Sequence, residues 1–133
     1  MTAEQPLAVA RSVPAIAENI SALRQLVTDL AMRAGATELV QGSIALAVGE
    51  ACGNVVQHAY PPGETGPLVV EAQAGESELL VVVSDMGRGC IPRPDSAGLG
   101  LGLPLMASLA GSVAITDGEG GRGTEVRMVF ALD

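Results

Sequence analysis

The chain has 133 residues, the length of one domain, and a chain of this size buries about two thirds of its unfolded surface when it folds. Its apolar fraction of 48% and mean hydropathy of +0.40 argue against intrinsic disorder, while a net charge of −8 and a pI near 4.4 disfavour direct binding to nucleic acid or to an anionic membrane. All 7 basic residues are arginines, which excludes any mechanism that depends on a catalytic or phosphate-binding lysine.

The first half of the chain predicts a strand and two long helices. Residues 7–13 form the strand, which Pro14 ends. From Ala15 to about Arg33, apolar residues recur at helical spacing until Gly35 stops the run; these are Ile20, Leu23, Val27, Leu30 and Ala31. Thr37 then caps a second helix that runs to about Ala59, before a proline-rich turn.

The second half predicts two strand pairs and a short helix. Residues 67–74 and 79–84 form an antiparallel hairpin, and residues 112–116 pair with residues 124–131. Between the pairs, a loop over residues 85–99 leads to a short helix over residues 103–109, with Pro104 in its first turn. Two long helices, one short helix and about five strands predict an α+β fold, a two-layer α/β sandwich. Its mostly antiparallel sheet is covered on one face by helices, and the other face is exposed or used for assembly.

We expect one domain over residues 1–133, with a core from about residue 7 to residue 131, located in the cytoplasm. Cys52 and Cys90 have no metal-ligand spacing, which favours two free thiols in a reducing compartment. The N-terminus has no basic region ahead of a long apolar segment, so no secretion signal is predicted. Residues 96–116 carry no charge, but several glycines and Pro104 interrupt them, which favours a soluble domain over a membrane helix.

A polar stripe interrupts the apolar second helix. The stretch GEACGNVVQHAY, residues 49–60, places Glu50, Asn54 and His58 at intervals of four residues. Each interval turns the helix by about 40°, so the three side chains lie along one face. A solvated helix face would explain the stripe equally well, and the stretches that follow it favour a ligand site.

Two glycine-containing stretches follow. DMGRG, residues 85–89, comes directly after a predicted strand, where a carboxylate can accept a hydrogen bond from a ligand amine; an ordinary turn has a similar composition. GLGLGLPL, residues 98–105, leads into a helix, and exposed amides at a helix N-terminus bind phosphate without lysine. Its spacing matches neither a dinucleotide fingerprint nor a P-loop. Gly123 and Thr124 open the last strand, where the threonine hydroxyl can add a phosphate contact.

These four stretches, in this order, resemble the sequence boxes of the GHKL ATPases, the Bergerat-fold family named for gyrase, Hsp90, histidine kinases and MutL. EACGNVVQHA is similar to the N box, DMGRG to the D-x-G-x-G box, GLGLGLPLM to the second glycine box and GTEV to the final G-T. The details are most similar to the small branch of anti-sigma factor serine/threonine kinases, whose N box also ends in HAY or HGY. The resemblance covers about residues 7 to 131.

The resemblance implies an ATP pocket between the helices and the sheet. Asn54 would coordinate Mg²⁺ through its amide oxygen, a hard ligand that this ion prefers. Glu50 would act as general base toward the attacking hydroxyl. Asp85 would bind the adenine amino group and reject GTP, because guanine presents a carbonyl oxygen at that position.

The resemblance also implies further contacts. The glycine boxes and the final G-T would contribute Gly87, Gly89, Gly98, Gly100, Leu101, Gly102 and Thr124 to the nucleotide site. Apart from the resemblance, we expect Arg88 and Arg93, in the short segment between the two glycine boxes, to help neutralise phosphate charge, and His58 to shape one end of the pocket or cap hydrogen bonds. Arg24 matches an arginine that contacts the sigma factor in this branch, although an ordinary exposed arginine is an equally good explanation.

The leading hypothesis is an ATP-dependent serine/threonine kinase that binds a sigma factor and phosphorylates a STAS-domain anti-anti-sigma protein, with Mg²⁺ as cofactor. The alternative is a non-catalytic GHKL-like module that sequesters a regulatory partner, with ATP as ligand or absent. The detached catalytic half of a histidine kinase is a third hypothesis, which the lead-in to the N box disfavours. The dimers of the family make a homodimer plausible, and no membrane partner is expected.

Overall fold

A five-stranded sheet forms one layer of the fold. The computed structural model describes residues 7–87 and 99–133, without the side chains of residues 99–103 and 119. The strands are β1 (Ala8–Pro14), β2 (Pro67–Ala74), β3 (Glu78–Asp85), β4 (Ser112–Asp117) and β5 (Thr124–Ala131). They lie in the order β1-β2-β3-β5-β4, and every neighbouring pair is antiparallel.

Helices form the second layer. They are α1 (Ile20–Arg33), α2 (Glu38–Asn54) and α3 (Leu99–Leu109), and α2 continues as a π-helical turn (Val55–Ala59). Short 3₁₀ turns lie at Ala17–Asn19 and Glu119–Gly121. The predicted cap of α2 is confirmed, because the Val40 N–H donates to the Thr37 hydroxyl at 3.2 Å. The predicted α+β two-layer sandwich is confirmed as well.

Alternation along the strands decides which face of the sheet the helices cover. In β2 and β3 every second residue is buried in the core, and these residues are Leu68, Val70, Ala72, Leu79, Val81 and Val83. The helical periodicity predicted for α1 is confirmed, since Leu23, Val27, Leu30 and Ala31 are buried in the same core. Phe130, the only phenylalanine, and Met128 extend the core onto β5.

The segment Glu38–Ala59 is long and apolar enough to cross a membrane by length and composition alone. One side of it packs in the core, where Ile44, Ala47 and Val48 are fully buried, while Leu39 and Leu46 are exposed. We therefore describe it as the central helix of the domain. The sequence analysis had instead compared the uncharged residues 96–116 with a membrane span. The described part of this stretch contains α3 and most of β4.

The predicted start of α3 was wrong. The helix begins at Leu99 rather than at residue 103, and Pro104 lies inside it rather than in its first turn. Each glycine in a helix costs about 1 kcal/mol, and an interior proline costs about 3 kcal/mol. Burial on the α2 side offsets this cost, since Met106 is fully buried.

The outer face of the sheet carries two shallow grooves. Both are lined by Gln73, Leu80 and Arg127, and the Arg127 guanidinium forms an ion pair with Glu125 at 3.3 Å. Neither groove contains Glu50 or Asp85, so these grooves are separate from the predicted site.

Candidate functional site

Glu50 and Asn54 lie one turn apart at the C-terminal end of α2, as predicted, and both are half-buried. Neither side chain has a hydrogen bond or ion pair with any residue that the structure describes. Neither residue contributes to the buried, unpartnered polar atoms of the described chain, so the polar groups of both side chains reach solvent and are open to a ligand. A single amide oxygen fits Mg²⁺, which takes few protein ligands alongside phosphate and water. Among the described residues, no three acidic, histidine or cysteine side chains cluster to hold a metal without such help.

The polar stripe continues into the π-helical turn that ends the helix. This turn begins at Val55 and contains His58, which is half-buried. π-Helical turns are rare and occur frequently at functional sites. The role predicted for His58, shaping the pocket end, stays a prediction.

Asp85 ends β3 and is one of two buried polar residues in the described part of the chain. Only 4% of its surface is exposed. Its Oδ1 accepts the N–H of Gly87 at 2.9 Å, and the backbone amide of Thr124 also donates to the carboxylate. Burial raises the pKa of Asp85 above its usual value, and the two amide hydrogen bonds partly oppose this increase. The carboxylate is therefore held by backbone amides with no cation beside it among its hydrogen-bond partners.

Two glycines let separate segments approach Asp85. A Cβ on Gly87 would lie 2.0 Å from the carbonyl oxygen of Ala59, and one on Gly123 would lie 1.9 Å from the carbonyl oxygen of Asp85. Gly123 also has φ +72°, which strongly favours glycine. At both positions glycine is required by close approach to the protein's own backbone.

Thr124 is the other buried polar residue of the described chain, with 4% of its surface exposed. It begins β5 beside the end of β3, where Ser84 pairs with Glu125, and its amide donates to Asp85. Thr124 therefore lies at the same end of the candidate site as Asp85. The phosphate contact predicted for the Thr124 hydroxyl stays a prediction.

The second glycine box opens α3. Gly100, Leu101 and Gly102 lie in the first turn, whose N–H groups have no partner within the helix. These amides are suited to binding an anion. The sequence had predicted that Gly100 and Gly102 precede the helix, whereas the structure places them within it. Other predicted contacts lie outside the described residues, namely Arg88, Gly89, Arg93 and Gly98, as does Cys90, which was predicted to be a free thiol.

Comparison with known proteins assigns the family. The model of the histidine kinase-like ATPase domain matches residues 13–130. The chain belongs to this family. The described site residues, from Glu50 to Thr124, therefore lie within the matched region of an ATPase domain.

Curated relatives and a solved structure agree with this assignment. The chain is 31% identical over 135 residues to the serine-protein kinase RsbW of Halalkalibacterium halodurans, covering 90% of this chain and 82% of that protein. It is 30% identical over 117 residues to the serine-protein kinase RsbW of Bacillus licheniformis, covering 77% and 73%. The crystal structure of the RsbU and RsbW domains of a Mycobacterium tuberculosis protein superimposes with a TM-score of 0.73 at 22% identity, over 94% of this chain and 32% of that one. This last likeness concerns the fold alone.

One residue of the ATPase domain escaped prediction. Tyr60, directly after the π-helical turn, donates its hydroxyl hydrogen to the carbonyl of Pro67 and accepts the N–H of Met86 at 3.0 Å. Burial raises the pKa of Tyr60, the Met86 amide opposes this, and the nearby Asp85 carboxylate adds to the increase. The sequence contained a signal, because Tyr60 is the only tyrosine and ends the N box, but no role followed from its position.

Arg24 lies on α1 with its side chain across the α2 glycine that precedes Glu50. A Cβ on Gly49 would lie 3.2 Å from Arg24 Cδ, and Arg24 itself is exposed. It forms no ion pair with the described residues. The structure thus brings the predicted partner-binding arginine beside the helix that carries the predicted general base.

Proposed function

We propose that this chain is an ATP-dependent serine/threonine protein kinase and anti-sigma factor, acting in the cytoplasm on a STAS-domain anti-anti-sigma protein. One observation carries the proposal: Glu50 and Asn54 have no described partner, and the π-helical turn that continues their helix approaches Gly87, two residues after the buried Asp85. The match to the ATPase family and the names of the curated relatives support it.

Asp85 selects the base. Its carboxylate accepts the adenine amino group, and its burial limits competition from water. The two backbone amides fix its orientation before the nucleotide arrives. Guanine presents a carbonyl oxygen in place of the amino group, so GTP is rejected by repulsion between two acceptors.

Asn54 and the first turn of α3 hold the phosphate end. Asn54 contributes its amide oxygen to Mg²⁺, and the amides of Gly100, Leu101 and Gly102 bind phosphate oxygens. Bound ATP and Mg²⁺ supply a transferable γ-phosphoryl group whose charge the metal neutralises. Arg88 adds positive charge, which matters in a chain without lysine.

Glu50 acts as the general base. It orients the substrate serine or threonine hydroxyl and accepts its proton as the oxygen attacks the γ-phosphoryl group, whose bond to the bridging oxygen breaks so that ADP leaves. The carboxylate has no cation among the described residues, so nothing there competes for its lone pairs. Arg24, across the neighbouring Gly49, contacts the sigma factor, so sigma binding and phosphoryl transfer occur on adjacent surfaces.

Binding is tested first, by titration calorimetry with ATP and with GTP, each with Mg²⁺. We expect selective ATP binding, and we expect Asp85→Asn to weaken it by about tenfold to a hundredfold because one charged hydrogen bond is lost. Absence of binding to either nucleotide by the folded wild-type protein would refute the ATP site.

Transfer is tested with radiolabelled ATP and a purified STAS-domain anti-anti-sigma protein from the same organism. We expect Glu50→Gln to lower the rate by about 10²- to 10⁴-fold, while the control Glu38→Gln, at the other end of α2, retains it. Equal rates in wild type and Glu50→Gln would show that the base is misassigned. A nucleotide-independent partner complex with no label transfer would identify a sequestering module instead.

A further inference from the structure

Tyr60 joins three segments that meet beside Asp85. Its hydroxyl bridges the Met86 N–H and the Pro67 carbonyl, and its ring lies against Gly66, where a Cβ would be only 2.2 Å from Cε1. The ring position leaves no room for any side chain at residue 66.

We propose that the Tyr60 hydroxyl is a positioning residue that holds the turn after Asp85 and thereby sets the selectivity for adenine. This inference rests on the proposed function, since it concerns the residue that recognises the base. Met86 lies between Asp85 and Gly87, and the Gly87 amide donates to the Asp85 carboxylate. The Tyr60 hydroxyl holds the Met86 amide, and the Asp85 carboxylate holds the Gly87 amide, so the turn over residues 85–87 is fixed at two successive amides.

The hydroxyl also ties this loop to the sheet. Its acceptor, Pro67, begins β2, and the next residue, Leu68, pairs with Asp85 across the sheet. The hydroxyl thus connects the residue after β3 to the first residue of β2, one position beyond the Leu68–Asp85 pair. A phenylalanine at position 60 keeps the ring on Gly66 but leaves the Met86 N–H and the Pro67 carbonyl without this partner.

Loss of the Tyr60 bridge should weaken the contact between Asp85 and the adenine amino group more than the contacts with phosphate. An unsatisfied amide shifts or takes up water, and the loop moves with it. ATP depends on the carboxylate orientation and GTP is repelled by it, so ATP affinity falls while GTP affinity does not fall with it. We expect the ATP-to-GTP affinity ratio to fall by about tenfold, the equivalent of one lost hydrogen bond.

Two variants remove the bridge in different ways. Tyr60→Phe deletes the hydroxyl, and Gly66→Ala displaces the ring that carries it. Each is titrated with ATP and GTP in the presence of Mg²⁺, and amide hydrogen exchange is followed at Met86 and Gly87 in the nucleotide-free protein. We expect both variants to lower the affinity ratio and to accelerate exchange at these two amides.

Matched controls separate this effect from general destabilisation. Thr28→Val deletes a hydroxyl that donates to the Arg24 carbonyl within α1 at 2.9 Å, and Gly42→Ala adds a Cβ to open space on α2. Both should keep the wild-type affinity ratio and the wild-type exchange at Met86 and Gly87.

The outcomes distinguish the positioning role from the function on which it rests. If the wild type selects ATP and Tyr60→Phe keeps the same ratio and exchange, the positioning role is overturned, even if the melting temperature falls. If the wild type does not select ATP, the proposed adenine site and the role of Tyr60 in selectivity both fail, and exchange decides only whether the hydroxyl holds the turn after Asp85. Acceleration confined to Met86 and Gly87 then supports it, and unchanged exchange overturns it.

Discussion

Gly123→Ala tests how tightly the fold closes around Asp85. The new Cβ would lie 1.9 Å from the Asp85 carbonyl oxygen and 3.0 Å from its Oδ1, so the start of β5 must move. Overpacking of this kind costs about 1–3 kcal/mol, and the left-handed backbone at φ +72° costs about 1–2 kcal/mol more for alanine. Reduced entropy of the unfolded chain returns up to about 1 kcal/mol. We expect a net loss of about 2–4 kcal/mol in the free energy of unfolding, measured by urea denaturation with circular dichroism.

Gly121→Ala is the matched control. Its backbone has φ +76°, nearly the same as that of Gly123, but a Cβ there has no neighbour within 4 Å. It should lose only the conformational term, about 1 kcal/mol, and keep its ATP affinity, whereas Gly123→Ala should lose affinity through displacement of Asp85. Equal destabilisation by the two substitutions would refute the close packing of β5 against Asp85.

Two further predictions concern titrating groups. Burial raises the pKa of Asp85, so its ionised form opposes folding at neutral pH. This penalty disappears as the pH falls through the raised pKa. In denaturation series, the stability of the wild type relative to Asp85→Asn should therefore increase from pH 7 toward pH 4. A decrease over that range would mean that the amide hydrogen bonds outweigh burial. Burial also raises the pKa of the Cys52 thiol to about 12, so in a Cys90→Ser protein Ellman's reagent should label Cys52 only after unfolding in urea, and rapid labelling of the native state would contradict its burial.

The layers of the fold could be predicted because the spacing of apolar residues and the positions of glycine, proline and capping residues carry that information. The apolar positions of α1, the Thr37 cap and the alternating strands each reflect a local rule that tertiary packing did not override. The start of α3 was wrong because glycine and proline usually mark loops, and burial against α2 cannot be seen from local spacing.

The site was predicted in part. The motifs and the family resemblance predicted Glu50, Asn54 and Asp85 as site residues, and their roles stay predictions; the structure brings the turn after α2 close to the residues that follow β3. The amides that hold Asp85 could not be found this way, because every residue except proline has such an amide and only the fold decides where it points. Tyr60 was missed for a similar reason, since its partners are the backbone groups of residues distant in sequence.

The features that define the site all oppose stability. Asp85 is buried without a cation among its partners in the described part of the chain, and α3 begins with glycines that each cost about 1 kcal/mol relative to alanine. Natural sequences keep such conflicts with local rules mainly where function requires them. Local conflict therefore points to the same residues as the family resemblance, by an argument that does not depend on it. Comparing Gly123→Ala with Gly121→Ala separates the cost of a left-handed backbone from the cost of crowding Asp85. The two φ values are nearly equal, and a Cβ meets Asp85 only at position 123.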